Sequence, residues 1–315
     1  MAAHNAARVD SPLWKVEAMK PPDWIPVQSS AAGHRTNDAL EYELVPSTAI
    51  VFKGAPFHVN RWGMHDREYS REKPPGTYRI ALLGASYVMG VGVANSDTFE
   101  ALVEDRLNRR HDRRYELLNF AVGGYSPLQD MITLERKVFD FNPDAVFYFA
   151  HRGDPDSAVK HLWRISHQNV RVDYSFLVDL LHDAGIDAGT TRAIAMRRLE
   201  PLKMRLLESI YQRIADQCRA HGVRPVWVFL PTGSERASDA QAAAVRAAGF
   251  AMVDLSGVFK GVDRSSLRIT PWDGHPNIMG HQLIAQHLYA ALEQRPDLLG
   301  APASTPPPAS DHHEQ

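Results

Sequence analysis

Arg79-Ile80-Ala81-Leu82-Leu83-Gly84-Ala85-Ser86 is an apolar run that stops at two small residues and a hydroxyl. Tyr78 to Leu83 has strand length and no polar alternation, the pattern of a strand buried on both faces of a parallel sheet. Downstream, residues 98–109 place Phe99, Leu102, Val103 and Leu107 at helical spacing. A second strand is predicted over Tyr115 to Val122, and a second helix over Pro127 to Phe139, with proline in its first turn. Further strands are predicted at Asp144 to Ala150, Pro225 to Leu230 and Ala251 to Leu255, and a closing helix at Ile278 to Glu293. Buried strands alternating with amphipathic helices define an α/β class, a three-layer α/β/α sandwich around a parallel sheet of about five strands.

Upstream of the quoted run, Arg71-Glu72-Lys73-Pro74-Pro75-Gly76 reads as a linker. Before it come short β-like pieces at Tyr42 to Val45, Ile50 to Phe52 and Phe57 to Val59, and residues 1–35 are polar and proline-punctuated. The expected organisation is an N-terminal extension over 1–75, an α/β domain over 76–298 and a disordered tail over 299–315, where Pro306-Pro307-Pro308 lies. A helical insertion is expected at about 155–219. Its surplus helix, from about Tyr174, is either a lid over a site or helical padding.

The chain has 315 residues, 44% hydrophobic and 23% charged, which excludes a mostly disordered protein. Lys plus Arg is 35 against 37 Asp plus Glu, a formal net charge of −2 that argues against a nucleic-acid partner. The single cysteine, Cys218, excludes an internal disulfide and a cysteine-based zinc cluster. No run of about 18 apolar residues occurs, and residues 1–24 lack a secretory apolar stretch, so a cytoplasmic protein without a membrane partner is expected.

Ligands of parallel α/β sheets sit at the carboxyl ends of the strands. Those ends carry Gly84-Ala85-Ser86, Gly123-Gly124-Tyr125-Ser126 and His151-Arg152-Gly153-Asp154, while Trp272-Asp273-Gly274-His275-Pro276-Asn277 precedes the last helix. A serine hydroxyl needs a base to become a nucleophile, and an imidazole base needs a partner to fix its tautomer. Asp273 and His275, two residues apart, point the same way if their segment is extended. Ser86 at a strand-to-helix junction lies near helix N-terminal amides. Individually these are an N-cap serine, turn glycines and a turn aspartate; jointly they suggest nucleophilic catalysis.

Arg79 to Ser86 resembles the first block of the SGNH (GDSL-type) hydrolase family, with Ala85 where many members carry Asp. Asn119-Phe120-Ala121-Val122-Gly123-Gly124-Tyr125 resembles the second block, and Asp273-Gly274-His275-Pro276-Asn277 with Gly280-His281 the last. Asn60-Arg61-Trp62-Gly63-Met64-His65-Asp66 and Lys73-Pro74-Pro75-Gly76 look like the lead-in of a bacterial subgroup. The resemblance implies a flavodoxin-like strand order, a Ser86-His275-Asp273 triad, and an oxyanion hole from the amides of Ser86 and Gly124. The family's third block has an Asn donor; here the chain reads Arg152-Gly153-Asp154. Gly153 most nearly replaces that Asn, Arg152 is a charged substitute and His151 a neutral one. One lost oxyanion donor costs about 3–4 kcal/mol in the transition state.

The implied activity is a serine esterase or deacetylase acting on a small-molecule or carbohydrate ester. The alternatives are an O-acyltransferase and an inactive domain that binds an acylated ligand. No cofactor is expected: the glycines from Gly84 to Gly92 lack the Gly-Lys-Ser/Thr ending of a phosphate loop and the third glycine of a dinucleotide fingerprint. No metal is expected either, since His275, His281 and His287 do not share a helical face at ligand spacing.

Overall fold

A computed structural model describes residues 20–168, 170, 173–233 and 235–300. The N-terminal extension forms β1 (Gly33–Arg35) paired antiparallel with β2 (Tyr42–Leu44), then a hairpin of β3 (Thr48–Phe52) and β4 (Ala55–Val59). The main sheet follows with β5 (Thr77–Leu83), the helical turn α1 (Ser86–Met89), α2 (Phe99–Arg110), β6 (Arg114–Asn119) and α3 (Pro127–Arg136). Next come β7 (Ala145–Ala150), α4 (Asp154–His167), α5 (Ser175–Asp183), α6 (Arg192–Leu199), α7 (Lys203–Ala220) and β8 (Arg224–Phe229). The chain continues through α8 (Asp239–Ala248), β9 (Ala251–Asp254), the hairpin of β10 (Arg268–Thr270) and β11 (Asp273–Pro276), and α9 (Ile278–Glu293).

The five-stranded sheet has the order β6-β5-β7-β8-β9, and every neighbouring pair is parallel. That is the flavodoxin-like order, with its switch point between β5 and β7. All seven residues of β5 and all six of β7 are buried, as strands covered on both faces must be. Successive residues of β7 show the two layers: Tyr148 meets Tyr211 of α7, while Phe149 meets Phe99 of α2. Helices α3, α4, α7 and α8 pack side by side in one layer, and α2 with α9 form the other.

Two predicted elements end early. The second helix stops at Arg136, and after Lys137 the chain tightens into a 3-10 turn, Val138–Phe141, that buries Val138 and Phe141. The second strand ends at Asn119, whose side chain turns inward to hold the carbonyl of Val88 at 2.8 Å. At the C-terminus, Pro296–Leu299 is a 3-10 turn with Leu298 and Leu299 buried. The remainder of the expected disordered tail, 301–315, lies outside the described residues.

The linker at 71–76 is tied to the sheet by Arg79, a cation with 0% exposure in the middle of β5. Its Nε donates to Glu116 of β6 at 2.7 Å, and its two Nη atoms donate to the carbonyls of Ser70, Arg71, Glu72 and Phe141. Asp66 works similarly, accepting from the N–H groups of Arg67 and Asn119. The lead-in residues therefore fix where the extension joins the sheet. Removing one partner of a buried ion pair leaves the other uncompensated, so Arg79→Met is expected to lose about 3–5 kcal/mol in urea unfolding. A loss below about 1 kcal/mol would show that Glu116 and the carbonyls find other donors.

Candidate active site

β5 ends at Leu83, and Gly84 carries the chain out of the sheet at φ +154°. A Cβ there would lie 2.8 Å from Val88 Cγ2 and 3.2 Å from Phe149 Cβ, so only glycine lets the loop sit this close to β7. Ala85 caps α1, and Ser86 is its first residue. α1 is a single turn, so what it offers beside Ser86 is its local N–H groups.

The β10–β11 hairpin makes residues 273–276 extended, which puts Asp273 and His275 on one side of β11. His275 Nε2 lies 2.8 Å from Ser86 Oγ, and its Nδ1 is hydrogen-bonded to Asp273 Oδ1. A carboxylate only accepts, so the proton of the neutral ring sits on Nδ1 and Nε2 is free to accept from the serine. The three predicted residues are thus brought together in the geometry a hydroxyl nucleophile requires.

Asp273 has further partners. Its Oδ2 accepts from Lys53 Nζ at 2.7 Å and from Trp24 Nε1 at 2.7 Å. Burial acts to raise this carboxyl, but the hydrogen bond and charge of His275 and the donors Lys53 and Trp24 outweigh it. The group is held well below the usual carboxylate range. Tyr87 donates to the Gly274 carbonyl at 2.7 Å and sets its ring 5.4 Å from that of His275, bracing the segment between Asp273 and His275.

The glycine loop after β6 reaches the same place. Gly124, at φ +85°, lines a cavity of about 210 Å³ together with Ser86, His275, Lys53, Phe52 and Val27. The backbone N–H groups of Ser86 and Gly124 donate to none of the described residues, leaving two donors beside the serine. On the other side of Ser86, a second cavity of about 90 Å³ is lined by Tyr87, Val88, Phe149, His151 and Leu230.

Arg152 and Gly153 do not join this group. They line a separate groove with Lys203, Glu235 and Gln241. The Gly153 N–H donates to His151 Nδ1 at 2.9 Å. Of the third-block residues it is His151 that borders Ser86, with Nε2 held 3.2 Å from the Asp154 carboxylate. Tyr125 also points elsewhere, donating to the Tyr42 carbonyl in the core. No described residue of the helical insertion at 155–219 borders either cavity; Pro26, Val27, Gln28, Phe52 and Lys53 line the larger one. His281, part of the last block, is structural: its Nδ1 accepts the Phe99 N–H at the start of α2, and burial, with the charges of His65 and His275, pulls it down to about 3.

Sequence reasoning missed Trp24, Lys53 and the hydrogen bond by which Tyr87 holds Gly274. The first two lie 249 and 220 residues from Asp273. The one local signal is the turn that carries Lys53. The pairing of Phe52 with Ala55 closes a two-residue loop in which Lys53 has φ +49° and Gly54 φ +83°. Such turns favour Asn or Asp before the glycine, and a left-handed residue other than glycine costs about 1–3 kcal/mol. Lysine is an unexpected choice there.

No family model matches the chain, and no curated protein matches it. Several solved structures are similar in fold. The crystal structure of TesA shares 12% identity at a TM-score of 0.46, covering 69% of this chain and 98% of that one. A lipase/acylhydrolase from Enterococcus faecalis shares 10% identity at a TM-score of 0.43, covering 69% and 96%. A two-domain esterase active on acetylated mannans shares 15% identity at a TM-score of 0.46, covering 74% of this chain and 53% of its own. Among the described residues, no group of three His, Cys, Asp or Glu side chains is placed to hold a metal ion, and no helix is long and apolar enough to cross a membrane.

The Gly124 conformation generates a test. A Cβ at this residue would lie 2.8 Å from Tyr42 Oη, which itself donates to the Gly123 carbonyl at 3.0 Å. Gly124→Ala is expected to destabilise by about 1–3 kcal/mol, and by less when made on Tyr42→Phe, where the obstructing oxygen is gone. Equal costs in the two backgrounds would show that the backbone angle alone demands glycine.

Proposed function

We propose that the protein is a serine ester hydrolase of the SGNH type. The observation that carries this is His275, whose two ring nitrogens join Ser86 Oγ to Asp273. Ser86 Oγ attacks the ester carbonyl as its proton passes to His275 Nε2. The N–H groups of Ser86 and Gly124 stabilise the tetrahedral oxyanion. His275 then returns the proton to the leaving alcohol, giving an acyl-serine, and repeats the cycle with water. Asp273 fixes the tautomer and the ring orientation.

With Gly153 donating to His151, the hole has two backbone donors where the family has a third from Asn. The missing donor is expected to cost ~100- to 1000-fold in rate against a three-donor site. The small cavity of about 90 Å³ beside Ser86 favours a short acyl group, and the larger one of about 210 Å³ is the better fit for the alcohol part of a small-molecule or carbohydrate ester. The side chain of His275 is 22% exposed, so water reaches the base, which favours hydrolysis over acyl transfer to another hydroxyl.

Intact-mass labelling with a fluorophosphonate at neutral pH tests the reading. A single stoichiometric adduct is expected on the wild-type chain and none on Ser86→Ala or His275→Ala. A folded wild-type chain that takes up no reagent would contradict the nucleophile and favour a binding role.

A further inference from the structure

We infer that Lys53 is a positioning residue of the triad, a cation built into the N-terminal hairpin to counterbalance Asp273 and so limit its hold on the His275 imidazolium. The inference rests on the triad reading and adds to it a part of the chain outside the resembling blocks that carry Ser86, Gly124, Asp273 and His275.

Three observations support it. First, the contact is built: Nζ lies 2.7 Å from Asp273 Oδ2, and the ion pair is largely covered, with side-chain exposures of 12% and 8%. Second, the ammonium is caged, 5.5 Å from the Trp24 ring and 5.9 Å from Phe52, while Trp24 packs edge-on against Trp272 beside the aspartate. Third, Lys53 occupies a left-handed turn position at φ +49°, where Asn or Gly would suit the hairpin better. A residue kept against its backbone preference is a candidate for a role beyond the turn.

The chemistry gives the role a direction. The two oxygens of Asp273 are divided: Oδ1 faces His275, through Nδ1 and the backbone N–H, and Oδ2 faces Lys53 and Trp24. When Ser86 passes its proton to Nε2, an imidazolium forms beside a carboxylate already paired with a cation. Lys53 repels that imidazolium, so it weakens the hold of the carboxylate on the ring proton and eases the passage of that proton to the leaving alkoxide. The other groups around the pair are Ser86 and Tyr87 of α1 and His281 of α9, with Arg264 and Glu235 acting on the Tyr87 phenol. Among the described residues, Lys53 is the cation in contact with Asp273 Oδ2.

The test is the pH dependence of the fluorophosphonate labelling rate in Lys53→Met, Lys53→Asn, Lys53→Arg and Trp24→Phe. Methionine keeps the apolar stem, and asparagine suits the turn, so the two protect the fold in different ways, checked by thermal melting. In both, the acid limb of the rate profile is expected to move up by about one to three pH units, the range for a unit charge a few ångströms from the ring between bulk water and a protein-surface dielectric. Lys53→Arg keeps the charge and Trp24→Phe removes only a neutral donor, so both are expected to keep the wild-type limb. A limb that stays in place in Lys53→Met and Lys53→Asn, even with a rate lowered equally at every pH, would overturn the inference. The His275 ring resonance followed by NMR against pH reads the same shift without any turnover. A wild-type chain that is never labelled therefore counts against the nucleophile, while an unmoved ring titration counts against Lys53.

Discussion

Four donors converge on the Asp273 carboxylate: two from His275, one from Lys53 and one from Trp24. An aspartate this buried would rise toward neutrality without such partners, and a neutral carboxyl can neither fix the His275 tautomer nor steady an imidazolium. Under the proposed mechanism the site needs the N-terminal hairpin as much as it needs the C-terminal one. That requirement explains why the extension is fastened to the sheet by buried polar contacts. Arg79 grips the carbonyls of the linker, and Asp66 caps the N–H of Asn119. A loosely tethered extension would let Lys53 and Trp24 drift from Asp273.

The sheet supplies the rest of the placement. Its order sends the chain from β5 to β6 on one side and onward to β7 on the other, and the loops after these strands bring Ser86, Gly124 and His151 to one end. Glycine is required at two of these exits for different reasons. Gly84 lies against β7 with no room for a side chain, and Gly124 adopts a left-handed turn under Tyr42. Each leaves a backbone loop close to the serine.

Much of this was legible in the chain. Continuous apolar strands such as Ala145–Ala150 identified a covered parallel sheet, and the i, i+2 spacing of Asp273 and His275 needed only an extended segment to converge. What failed to show was of two kinds. The surplus helices after Tyr174 are visible as periodicity, but periodicity does not tell a lid from padding; those helices pack on α4 and α7, and the wall of the cleft comes from residues 26–28 and 52–53. Residue pairs such as Trp24 and Asp273 leave no local pattern, being joined only by tertiary folding. In the third block the chain offers Gly153, Arg152 and His151, which sequence alone does not tell apart. Gly153 stands nearest the expected position in sequence, yet its N–H closes a small turn onto His151, and the side chain that borders the cavity beside Ser86 is that histidine, two residues earlier.

A crystal structure of the phosphonylated protein would examine the catalytic geometry most directly. The expected result is a phosphorus bonded to Ser86 Oγ, with its non-bridging oxygen within hydrogen-bond distance of the N–H groups of Ser86 and Gly124. His275 would remain between the adduct and Asp273. A phosphonyl oxygen turned away from both amides, toward Arg152 or the Gly153 N–H, would contradict the site as described.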